Sequence, residues 1–168
     1  VAIKLALHDF PPLLLCALRF VFVSLPLVFF LPRPAITWRQ LVTYGLTMFA
    51  LQFACMFMAM QLGLSAGLAS VMLQLQVFIT LGLSVAFLNE RLTLPQIGGT
   101  LIAVAGFGLV ALHSGGDVSL AGVGCAMLAA CSWAYGNFMS RGLGKVNSLA
   151  LVAWGGLVVP LPMGLASL

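Results

Sequence analysis

Two cations and three amides stand where so apolar a sequence has little reason to carry them. Lys4 and Arg19 interrupt apolar runs, and Gln52, Gln74 and Gln76 lie inside others. A charge at the centre of a bilayer costs at least about 2.5–3.5 kcal/mol on insertion scales, so it faces a cavity, a partner or reachable headgroups. Arg19 comes eight residues after Pro11, about 12 Å along a helix. Lys4 precedes Asp9 by five residues, about 7–8 Å. Both stems either line a cavity or snorkel to the headgroups. In a cavity, the Arg19 guanidinium would offset the desolvation of a carboxylate and orient it through two parallel hydrogen bonds. That chemistry is recognition of a small polar solute, and it breaks no bond.

The amides extend the same idea. Gln76, Thr80 and Ser84 follow an i, i+4, i+8 pattern, so they share one helical face. Gln74 is two residues from Gln76 and points the other way on a regular helix. The Gln76 stripe is expected to face a cavity and Gln74 to hydrogen-bond between helices, or the reverse. In the competing reading both only glue helices together. The expected solute-binding set is Arg19, Lys4, Gln52, Gln76, Gln74 and Thr80.

No catalytic set accompanies these residues. Asp9, Glu90 and Asp117 all fall between apolar runs, and His8 and His113 form no HExxH pattern. An intramembrane hydrolase is disfavoured, and no metal or cofactor is called for. Cys16, Cys55, Cys125 and Cys131 lie in apolar stretches without CxxC spacing. They read as small core residues.

The elements that hold these groups are set by composition. Of 168 residues, 62% are hydrophobic and 6% charged. A soluble domain carries about 25% charge, so a soluble globule and a disordered chain are both excluded. The 50 residues from Gln40 to Asn89 contain no Asp, Glu, Lys, Arg or His. One helix of that length would run about 75 Å against roughly 30 Å of hydrocarbon, so it must be two spans. The fold class is all-α, a polytopic helical membrane protein. The expected spans are a tail ending near residue 7, then 12–31, 41–61, 68–88, 96–113, 120–138 and 149–168. Val1 opens the chain and no polar cap follows residue 149, so an internal portion of a longer protein is expected, without a signal peptide.

Loop charge gives an orientation. Connections 32–40, 89–95 and 139–148 carry Arg33, Arg39, Arg91, Arg141 and Lys145, and the alternate connections carry no Lys or Arg. The basic loops are expected in the cytoplasm. This bias also accounts for the net charge of +4 without a nucleic-acid partner. Gly99, Ala103 and Gly106 form a small stripe expected to pack against another helix. Pro26, Pro160 and Pro162 are expected kinks or hinges. Trp133, Tyr135 and Asn137 read as an interfacial belt. Glu90 is expected to bond the start of the next span or to pair with Arg91.

Shifting residues 11–27 by 136 matches Leu13, Leu15, Ala17, Val23, Leu25 and Pro26 with Leu149, Leu151, Ala153, Val159, Leu161 and Pro162. The match pairs spans five apart, so the copies face opposite ways. Inverted repeats of this kind support alternating access about a midplane site.

Five segments carry a family resemblance: HDFPPLLLCALRF at 8–20, YGLTMFALQF at 44–53, AGLASVMLQLQ at 66–76, FLNERLTLPQIGGTLIAVAGFGLV at 87–110 and CSWAYGNFMSRGLG at 131–144. Together they resemble the EamA-like branch of the drug/metabolite transporter superfamily, and within it the bacterial O-acetylserine/cysteine exporters. The resemblance implies ten spans in two inverted five-span repeats. Residues 1–113 would be the first repeat without the start of its first span, and 120–168 the beginning of the second. It implies an inner-membrane transporter in the lipid bilayer that exports small polar metabolites such as cysteine or O-acetylserine; no enzyme activity is expected, and a homodimer is a possible partner state. The rival expectation is a non-transporting scaffold or sensor subunit.

Overall fold

The computed structural model describes residues 12–113 and 119–166. Lys4, His8, Asp9, Asp117 and the expected first span lie outside the described residues. Every element within them is helical. The order is α1 (Pro12–Phe30), α2 (Trp38–Gln61), α3 (Ala66–Leu88), α4 (Leu94–His113), α5 (Leu120–Gly142), α6 (Ser148–Gly156) and α7 (Pro160–Ala166). Among the described residues, α2, α3 and the combined stretch Ser148–Leu165 are long and apolar enough to cross a membrane. Cys16–Phe30 and Leu94–Leu109 form shorter apolar helices.

Capping residues set several starts. Thr37 accepts from the Gln40 N–H at 3.3 Å, and the Gln40 side chain accepts from the Thr37 N–H at 3.0 Å. This reciprocal box starts α2 three residues earlier than apolarity alone suggests. Ser65, Ser119 and Asn147 cap α3, α5 and α6 with their side-chain oxygens. α1 runs unbroken through Pro26.

Three spans depart from regular α geometry. α2 contains a π turn at Leu46–Leu51. α3 tightens at Gln74, where Gln74 N–H bonds Val71 O and Val77 N–H bonds Gln74 O, both at 3.0 Å. The last span breaks between α6 and α7, just before Pro160, which has no N–H to continue the ladder.

The core gathers around α2. Met56, Ala59, Leu64 and Ala69 pack with Ala126 and Ala129 of α5. Ala50 packs with Ala17 of α1 and with Val159 and Met163. Leu41 and Tyr44 pack with Leu151 of α6. Small residues let these helices approach closely. Gly122, Ala126, Ala130 and Ala134 recur every four residues along α5 and all are buried. A Cβ on Gly136 would lie 2.8 Å from Met48 Cβ, and one on Gly45 would overlap the carbonyl oxygen of Gly155.

The stripe expected to pack against another helix lies on α4. Gly99, Ala103 and Gly106 are exposed within the described residues, and a Cβ at Gly99 or Gly106 would meet nothing within 4 Å. The Phe107 ring of α4 lies 6.2 Å from the Phe78 ring of α3. Among the described residues, close helix contact rests on the small residues of α2, α5 and α6. The outer surface is apolar: Phe29, Phe30, Leu94, Ile102 and Leu120 are each at least 75% exposed. Such a surface is stable against lipid tails and unfavourable against water.

Candidate functional site

α3 and α5 are joined by a ladder of polar contacts. Asn137 Nδ2 donates to Gln76 Oε1 at 2.8 Å, Thr80 Oγ1 donates to Ala134 O at 3.4 Å, and Arg141 Nη1 donates to Ser84 Oγ at 3.3 Å. Between the end pairs, Gln76–Asn137 and Ser84–Arg141, the numbers rise on both helices, with Ala134 stepping back opposite Thr80, so α3 and α5 run parallel. Helices separated by one intervening span must do so. Thr80 and Ser84 are buried, so their hydroxyls need these partners.

Beside the ladder lies a cavity of about 540 Å³ between α3, α4 and α5. Small-molecule pockets typically span about 300–1,000 Å³. Gln74, Gln76 and Thr80 line it from α3, Gln96, Gly99, Thr100 and Ala103 from α4, and Asn137, Ser140 and Arg141 from α5. Phe78 and Phe107 supply apolar wall. Gly99 and Ala103 stop at Cα or Cβ, and that leaves the void. Among the described residues, the small residues of α4 border this cavity and meet no neighbouring helix.

Gln74 and Gln76 border the same cavity. On a regular helix two residues turn about 200° and the amides oppose each other. The three-residue bonds at Gln74 overwind the backbone towards about 240°, which leaves them about 120° apart. Both then border one cavity. Gln76 is also a helix-to-helix hydrogen bonder, while Gln74 is exposed.

Arg19 and Gln52 stand elsewhere. Arg19 is exposed on α1, with its guanidinium carbon 5.7 Å from the Phe53 ring centroid. A cation over an aromatic face is weakly stabilised without any carboxylate. Gln52 is 4% exposed at the end of the π turn in α2 and does not line the cavity.

Glu90 does not pair with Arg91. Its Oε2 accepts from Arg141 Nη1 at 2.9 Å, bridging the ends of α3 and α5. Asn89 ends α3 in the left-handed conformation, φ 52°, and the Glu90 N–H reaches back to Ser84 O at 3.3 Å. That turn swings the carboxylate towards α5. Nor does Glu90 bond the start of α4, because Gln96 Oε1 accepts the Thr93 N–H there at 2.8 Å.

Several lining residues escape a reading based on intramembrane charge. Asn137 and Arg141 resemble an interfacial belt and a loop cation. Their i, i+4 spacing, with Ser140 on the same side, was the available signal. Gln96 and Thr100 repeat that spacing on α4. Among the described residues the four cysteines are free, and no group of three or more His, Cys, Asp or Glu could hold a metal.

Comparison with known proteins adds the family. The model of the EamA-like transporter family matches residues 1–112. Proteins from Salmonella typhimurium and Escherichia coli, each described as a probable amino-acid metabolite efflux pump, are 39% identical to this chain. Each match covers 100% of this chain and 58% of the relative. An uncharacterized transporter of Archaeoglobus fulgidus is 28% identical over 90% of this chain and 56% of its own length. The chain thus spans a little over half the length of these curated relatives. No solved structure matches it.

Proposed function

This chain belongs to the EamA-like transporter family, and from that premise we propose that it exports small amino acids of the cysteine and O-acetylserine kind. The observation that carries the reading is the cavity between α3, α4 and α5. It is walled by amides, hydroxyls and one guanidinium inside an otherwise apolar, multi-pass membrane protein. Side-chain amides and hydroxyls both donate and accept, so they can replace part of the water shell of a zwitterion. The efflux descriptions of the two 39% identical relatives support the direction and the solute class.

The proposed mechanism is alternating access between two inverted repeats, 1–113 and the one beginning at 120. The solute enters the cavity from the cytoplasm, is enclosed, and leaves on the other side. It is moved without being chemically changed, so no catalytic residue is assigned. The breaks in α2, α3 and between α6 and α7 are the places where helices can bend without losing a whole ladder of hydrogen bonds.

The direction depends on the basic loops being cytoplasmic. In a background lacking native cysteines, Gln61→Cys should react with an impermeant thiol reagent added outside intact cells, and Ala35→Cys should not. Both positions are exposed at helix connections. The opposite pattern reverses the orientation. Transport itself is tested with the full-length protein in inside-out vesicles. Labelled O-acetylserine should accumulate above protein-free vesicles, with competition from cysteine. An amino-acid panel that shows no accumulation, with and without a proton gradient, contradicts the reading.

A further inference from the structure

Arg141 is the cation that lines the cavity. Its side chain is 45% exposed although it is paired with Glu90. Nη1 makes both of its contacts, to Glu90 Oε2 at 2.9 Å and to Ser84 Oγ at 3.3 Å. That nitrogen carries two hydrogens, so it is fully used. Nη2 and Nε carry the remaining donors, and no hydrogen bond from either is found among the described residues.

The unused donors form a particular shape. Nε–H and one Nη2–H lie parallel along one edge of the guanidinium. This is an edge that grips a carboxylate with two hydrogen bonds. The opposite end of the group is held by two anchors, the Glu90 carboxylate just past the end of α3 and the buried Ser84 hydroxyl within it. A guanidinium fixed in this way loses little freedom when it takes up an anion. The Glu90–Arg141 pair carries no net charge, and neither does an amino-acid zwitterion. Loading the site therefore adds no net charge at the membrane boundary.

We propose that the Nε–Nη2 edge of Arg141 binds the carboxylate of the exported solute, with Glu90 and Ser84 as the residues that position it. The proposal rests on the transport reading above and narrows it: solutes bearing a carboxylate are selected over amines, amino alcohols and sugars. Gln74, Gln76 and Asn137 supply carbonyl oxygens towards which the ammonium group can turn.

The test uses the full-length protein in inside-out vesicles that also report transport. Phenylglyoxal modifies accessible arginines, and peptide mass spectrometry reads each site separately. O-Acetylserine should slow modification of Arg141 at least threefold, its carboxamide analogue should not, and Arg39 and Arg91 should react equally in all samples. For transport, Arg141→Lys and Arg141→Gln should raise KM for O-acetylserine tenfold or more and abolish the preference for acid over amide in competition. Glu90→Gln should raise KM less, because the fork survives. If wild-type vesicles transport O-acetylserine but acid and amide protect Arg141 equally, or neither protects it, the proposal is overturned. A guanidinium occupied by a lipid phosphate gives this second pattern. Wild-type vesicles that transport none of the amino-acid panel overturn the transport reading, and this proposal with it.

Discussion

Gly45→Ala should cost most of the folded protein, although it adds one methyl group. The new Cβ would overlap the carbonyl oxygen of Gly155 and lie 3.0 Å from Val158 Cβ. Neither neighbour is the free end of a flexible side chain, so α6 itself would have to move away from α2. Overpacking a tight site costs about 1–3 kcal/mol, and each 1.4 kcal/mol is about tenfold in the folded population. Gly45→Val should be worse. Gly124→Ala is the matched control, because a Cβ there meets nothing within 4 Å. The readout is monodisperse yield and melting temperature in detergent. Equal behaviour of Gly45→Ala and Gly124→Ala would mean that α2 and α6 are not in backbone contact.

Ala103→Phe should leave the protein folded and stop transport. Ala103 is exposed on the cavity face of α4, so a ring there enters the cavity instead of a packed interface. Phe107 and Phe78 already stand on that wall, and a further ring would occupy space that a solute needs. The amount of inserted protein should stay within twofold of wild type while uptake into inside-out vesicles falls at least tenfold. Ala103→Ser, which adds only a hydroxyl, should transport normally. A sharp loss of inserted Ala103→Phe protein with Ala103→Ser unaffected would restore Ala103 to a packing role.

These expectations show what the sequence made legible. Span positions follow from sparse charge, because a bilayer makes charge costly over about 20 consecutive residues. The helices observed at 12–30, 38–61, 66–88, 94–113 and 120–142 follow the expected order. The earlier start of α2 was also written in the chain, as the Thr37 to Gln40 box. Lateral packing was not legible in the same way. Two stripes of small residues, Gly99–Ala103–Gly106 on α4 and Gly122–Ala126–Ala130–Ala134 on α5, look alike as text. Which one meets a helix depends on neighbours distant in sequence, and in the structure it is the second.

The candidate site divides along the same line. The face shared by Gln76, Thr80 and Ser84 follows from helical periodicity and is observed. Its partners, Asn137, Ala134 and Arg141, lie 54 to 61 residues away, beyond the reach of any local pattern. Arg19 drew attention because charge inside a span is rare. Arg141 drew none, since a cation beside a loop is ordinary. Its distinction is geometric: two anchors on one nitrogen and a free edge on the other side.

On the proposed function, the solute passes through the cavity between α3, α4 and α5. Thr100 lines it from α4, and among the described residues its hydroxyl bonds the Gln96 carbonyl of its own helix, at 2.8 Å. Thr100→Cys in a background without native cysteines therefore places a thiol in the cavity with little disturbance. The measurement is the rate at which a small water-soluble thiosulfonate modifies that thiol in transport-active inside-out vesicles. Saturating O-acetylserine should slow modification severalfold, and an amino alcohol at the same concentration should not. An unchanged rate with O-acetylserine, in vesicles that transport it, would contradict the account.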